Sequence, residues 1–111
     1  MHNFLIILSG SEGDHREYAG VGFIVAPWAK HSIQGYIQHN SRVATLRIGV
    51  EGGVLTLVNV YAWANTHDYE IRHDFFTDLV QIFAKGRSHG PTILLGDLNA
   101  RLLQRYAREE A

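Results

Sequence analysis

The chain has 111 residues, of which 46% are hydrophobic and 19% charged, the size and mixture of one globular domain and not of a disordered segment. Ten Lys and Arg stand against eleven Asp and Glu, a net charge of −1 that excludes a basic nucleic-acid module held by bulk charge. The absence of cysteine excludes disulfide scaffolds, thiolate zinc sites and cysteine nucleophiles.

Residues 4–8, Phe-Leu-Ile-Ile-Leu, are an apolar, β-prone run that stops at Ser9-Gly10. The run is too short for a signal-peptide core or a membrane span, so an intracellular protein (cytoplasmic or nuclear) with no membrane partner is expected. Residues 11–16 are polar, contain Gly13 and Asp14, and read as a turn. A second strand is predicted over 20–26, with Val21, Phe23 and Val25 on one face and Pro27 ending it or marking an edge. A looser third strand is placed at 31–38. Over 42–50, Ala44, Leu46, Ile48 and Val50 alternate with Val43, Thr45, Arg47 and Gly49, the period of a half-buried strand. Glu51-Gly52-Gly53 supplies a tight hairpin. Residues 54–62 are apolar on both faces, as in a central strand covered on both sides.

One strong helix signal spans 68–85, where Ile71, Phe75, Leu79 and Ile82 recur at helical spacing and Phe76 and Phe83 widen the stripe. Thr66 is placed at its cap, Asp68 and Glu70 suit its positive end, Lys85 suits its negative end, and Gly86 is read as its terminator. Pro91 then opens a short buried strand over 92–95, and a second helix is placed at 101–110. With no linker, repeat or low-complexity tract, residues 1–111 read as a single domain. Its class is α/β of the α+β type: a mixed β-sheet with a covering helix.

Gly96-Asp97-Leu98-Asn99-Ala100 is the sharpest local feature. It follows a strand at its C-terminal end, where open α/β sheets build their sites. In an extended segment Asp97 and Asn99 point the same way and Leu98 the other, into the core. A carboxylate there suits a metal or a proton from water, and an amide suits a phosphate oxygen or the water itself. The same three residue types also make ordinary turns. Asn59 and Tyr61 share one face at the end of the central strand, where a buried polar group satisfies a loop or reaches a ligand. A tyrosine hydroxyl at a strand end can donate to a phosphate.

Taken in order, Gly20-Val-Gly-Phe-Ile-Val25, Ser41-Arg42-Val43, Asn59-Val-Tyr-Ala62 and Gly96-Asp-Leu-Asn-Ala100 resemble the endonuclease/exonuclease/phosphatase family, and within it the endonuclease domain of non-LTR retrotransposons. The resemblance covers about residues 18–101. It implies a two-sheet α/β sandwich that cleaves phosphodiesters or phosphomonoesters with Mg²⁺, DNA or another phosphate ester being the partner. It implies that Tyr61 bonds the scissile phosphate, that Asp97 positions or deprotonates the attacking water and serves as a metal ligand, and that Asn99 holds water and phosphate. Asn65 matches a substrate-contacting family asparagine, although the family's Y-A-P turn here reads Tyr61-Ala62-Trp63, and Arg42 matches a common family arginine, as a substrate contact or in a structural role.

The chain departs from the family at two other places. There is no Q-E pair before the 20–25 strand, where Glu12 and Glu17 lie in the turn region. The last histidine is His89, before Asp97, so no Asp-His pair follows the Gly-Asp-Leu-Asn strand, and Asp14-His15 comes far too early. The expectation is a partial domain, short at both ends, weak or inactive alone, and prone to self-association through an exposed sheet face. Two other functions stay open: a phosphatase or nucleotide diesterase of the same superfamily, and a non-catalytic α/β interaction module. The seven histidines form no H-E-x-x-H motif and read as dispersed surface residues. Arg101, Arg105 and Arg108 read as one helix face, solvated in preference to tracking a phosphate backbone; Trp28 and Trp63 sit near strand ends, Trp63 as core or rim packing in preference to a nucleic-acid contact.

Overall fold

The structure, a computed structural model, describes residues 4–10, 20–63 and 68–99. Strands β1 (Leu5–Gly10) and β2 (Gly20–Val25) pair antiparallel, with Leu5 opposite Val25 and Ile7 opposite Phe23. Pro27 ends β2, by opening a 3₁₀ turn at Pro27–Ser32 in which Trp28 stands 86% exposed. That turn takes up residues 31 and 32, so β3 runs Ile33–Asn40 and begins later than its sequence suggests.

Strands β4 (Val43–Val50) and β5 (Gly53–Tyr61) follow, joined through Glu51-Gly52 with Gly52 at a φ of 86°. After them come helix α1 (Tyr69–Arg87) and strand β6 (Thr92–Asp97). The larger sheet has the order β3-β4-β5-β6, antiparallel except for the parallel β5–β6 pair. A mixed sheet with one covering helix, an α+β arrangement, is therefore what the described chain forms. No helix among the described residues is long and apolar enough to cross a membrane.

Both faces of the larger sheet are covered at its middle strands. The β1–β2 hairpin lies on one, where the Phe23 and Tyr36 rings meet edge-on at 6.4 Å. Helix α1 lies on the other, where Phe75 and Leu79 pack on Val43, Val58, Val60 and Ala62. Each of the Val, Leu and Phe side chains contributes about 1.5–3 kcal/mol by leaving water. Double coverage also explains why β4 is not the half-buried strand its alternation suggests. Val43, Ala44, Thr45 and Leu46 are all buried, because hairpin and helix each take one face. Strand β5 is central, as its two apolar faces require.

Three other expectations are corrected. Asp68, not Thr66, caps α1: its carboxylate accepts the Glu70 backbone N–H at 2.7 Å, and Thr66 lies outside the described residues. Gly86 does not end the helix, which runs on to Arg87 with Ser88 as its C-cap. A Cβ at Gly86 would stand 3.0 Å from the Thr92 side chain and 3.2 Å from Thr56, so glycine is there for close helix–sheet approach. Strand β6 is not buried: it is the sheet edge among the described residues, and Ile93, Leu94 and Leu95 are 46%, 36% and 39% exposed. The helix placed at 101–110 and the turn at 11–16 lie outside the described residues.

Candidate functional site at the ends of the parallel strands

Parallel strands end on the same side, so the C-termini of β5 and β6 open together. The register sets Tyr61 beside Asp97 and Val60 beside Gly96. The ladder continues one step further, with the Ala62 N–H donating to the Asp97 carbonyl at 2.9 Å. Tyr61 is 39% exposed and Asp97 is exposed. Two residues singled out from separate motifs are thus neighbours on one face of the sheet.

The β3–β4 turn closes the site from the other flank. Asn40 Oδ1 accepts the Arg42 N–H at 2.7 Å and fixes the turn. The Arg42 carbonyl accepts the Tyr61 N–H at 2.8 Å. Its guanidinium Nη1 donates to the Tyr61 carbonyl at 3.1 Å and to the Ala62 carbonyl at 3.4 Å. The guanidinium also lies over the Trp63 ring at 3.6 Å and near the Tyr61 ring at 5.1 Å, a cation–π arrangement with both. Arg42 thereby holds the 61–63 turn in shape while placing a positive charge beside Tyr61.

Beyond β6 the chain turns sharply. Gly96 has a φ of 114°, and a Cβ there would run into the Val60 carbonyl oxygen, so only glycine lets β6 sit this close to β5. Asp97 Oδ1 accepts the Asn99 N–H at 2.9 Å, a side-chain turn of the kind aspartate makes readily. Asn99 has a φ of 46°, a left-handed conformation that asparagine tolerates, and its Nδ2 donates to the Ala62 carbonyl at 3.0 Å. The extended geometry that would aim Asp97 and Asn99 together therefore stops at Asp97. Leu98 is 38% exposed and does not enter the core.

Asn59 has a different task from its neighbour Tyr61. Its Nδ2 donates to the Gly22 carbonyl at 2.7 Å and ties the larger sheet to the β1–β2 hairpin. Asn65 lies outside the described residues. Trp63 packs against the core cluster, as expected, and is also the platform for Arg42.

Mg²⁺ takes oxygen ligands in near-octahedral geometry, commonly one or two carboxylates with retained waters. Among the described residues no group of three or more His, Asp or Glu could hold a metal ion. Asp97 brings one carboxylate, with one oxygen already engaged by Asn99. These residues do not fit a Mg²⁺ site. What they offer is a hydroxyl donor at Tyr61, a guanidinium at Arg42 and an acceptor at Asp97. Compared with known proteins, the sequence matches no family model and no curated protein.

Proposed function

We propose that the chain is a phosphodiester-recognising domain of endonuclease/exonuclease/phosphatase type, of the kind carried by non-LTR retrotransposons, with little or no hydrolytic activity of its own. The observation that carries this reading is the pairing of Tyr61 with Asp97 across the ends of two parallel strands, with Arg42 alongside. The family's α/β sandwich is part of the same proposal, supported by a hairpin and a helix on opposite faces of one mixed sheet.

In this reading Tyr61 donates to a phosphate oxygen, Arg42 supplies the compensating charge, and Asp97 lies where an attacking water would be held. Hydrolysis needs these parts together with further charge-stabilising groups, and such parts act as a unit. With one carboxylate, binding without turnover is expected. A non-catalytic interaction module is favoured by one specific observation: Arg42 and Asn99 both use side-chain donors on the backbone of residues 61 and 62.

The test is fluorescence anisotropy with a short single-stranded oligonucleotide, alongside a plasmid-nicking assay in Mg²⁺. Binding should weaken in Tyr61→Phe. In metal-free buffer it should strengthen roughly two- to tenfold in Asp97→Asn, because an unscreened carboxylate repels phosphate. Vigorous Mg²⁺-dependent nicking that Asp97→Ala abolishes would contradict the absence of turnover. Binding indifferent to Tyr61 and Asp97 would contradict the site.

A further inference from the structure

A second polar site lies on the other face of the larger sheet, away from Tyr61 and Asp97. A groove of about 460 Å³ runs between strands β3 and β4 and helix α1. Ile37, His39 and Arg47 line it from the strands, and Asp78, Ile82 and Lys85 from the helix. Side chains alternate across a sheet, and Arg47 is paired with Thr56 as Thr45 is with Val58. Val58 faces α1, so Arg47 and Thr56 face it too.

Two buried polar atoms here have no hydrogen-bond partner: Arg47 Nε and Thr56 Oγ1. Thr56 is wholly buried, and its methyl lies 3.2 Å from where a Cβ on Gly86, another groove residue, would stand. Buried donors and hydroxyls are ordinarily satisfied, and leaving one unmade costs more than an average hydrogen bond returns. Thr56 is closed off from the groove, so the polar side chain with an unmade bond that lines it is Arg47. His39 lines the groove as well, and its Nε2 shares a hydrogen bond of 2.8 Å with Thr45 Oγ1.

We infer that this groove binds a small oxyanion-bearing ligand, a phosphate or carboxylate on a body of nucleotide size, with Arg47 and Lys85 as its charge partners. A guanidinium presents donors in a planar fork that fits an oxyanion, and Lys85 adds a point charge. Asp78 is the single acidic residue among those named, so the lining is net positive with His39 neutral. Ile37 and Ile82 give the ligand's body apolar walls, and the volume lies within the range of small-molecule sites. The site is independent of the proposed phosphodiester site, since the two occupy opposite faces of the sheet.

The test is isothermal titration of the 111-residue protein with three probes: inorganic phosphate, adenosine 5′-monophosphate and benzoate. Saturable binding of at least one probe is expected, weakened about tenfold or more in Arg47→Gln and in Lys85→Gln. Lys85→Gln changes an exposed helical residue, so it reads binding even where Arg47→Gln disturbs packing. Stronger binding of adenosine 5′-monophosphate than of benzoate assigns a phosphate ligand, and the reverse assigns a carboxylate. The titrations are run in the Tyr61→Phe background, which removes the phosphate donor proposed at the ends of β5 and β6, so the binding read is that of the groove. No saturable binding of any probe, or binding that survives both substitutions, would overturn the inference.

Discussion

At the scale of single residues, the same side chains that suggest chemistry also hold the backbone in place. Asn99 shows this most sharply. Its amide bonds the Ala62 carbonyl and its backbone is left-handed, so Asn99→Ala loses a hydrogen bond and strains the turn. The expected cost is about 1–2 kcal/mol, read as a lower urea midpoint. Asn99→Gly should cost less, because glycine adopts that conformation freely. Equal losses in the two variants would show that the left-handed turn is unimportant. His39 gives a pH signature. Burial first, and the Lys85 charge second, hold its pKa below the ordinary 6.5. Arg47 and Asp78 line the same groove. The unfolded chain therefore binds a proton that the folded one resists. This contribution to stability is complete above pH 6.5 and is lost as the pH falls towards the depressed folded value. The urea midpoint of His39→Gln should fall less between pH 7.5 and 5.5 than that of the parent protein. An identical fall would sink this account of His39. The sequence showed seven scattered histidines; only the β3–β4 register and the helix crossing distinguish this one.

Elements were legible where one local rule sufficed. The α1 stripe of Phe75 and Leu79, the break at Pro27 and the turn at Glu51-Gly52 follow from periodicity and turn chemistry. What depends on a neighbour in space was not legible. The coverage of β4, the exposure of β6 and the aim of Asn99 are set by where the hairpin, the sheet edge and the Ala62 carbonyl lie. Gly86 belongs to the same class. Near the end of a helical pattern it reads as a stop, yet in the fold it is the point where α1 approaches Thr56 and Thr92. Gly86→Leu should therefore destabilise by about 1–3 kcal/mol through overpacking, despite leucine's better helix propensity. A raised melting temperature in that variant would mean that the helix and sheet have room to spare.

For the molecule as a whole, the covered sheet coexists with apolar surface elsewhere. The outward face of the β1–β2 hairpin carries Ile6, Leu8 and Ile24 at 60%, 76% and 72% exposure. Patches of this kind favour association. We propose that the protein self-associates there, so sedimentation should show mass rising with concentration in the parent and less so in Ile24→Lys. A monomer at every concentration would contradict it. The proposed phosphodiester site bears on a different question: Tyr61 and Asp97 lie in separate motifs 36 positions apart and meet only through the parallel register, which the sequence does not show. The most direct measurement is an ¹H–¹⁵N NMR titration of the 111-residue protein with a short single-stranded oligonucleotide in metal-free buffer. The expected result is saturable shifts concentrated at Tyr61, Ala62, Trp63, Asp97 and Asn99 and diminished in Tyr61→Phe. Shifts absent from those residues, or unchanged in that variant, would contradict phosphate recognition at the ends of β5 and β6.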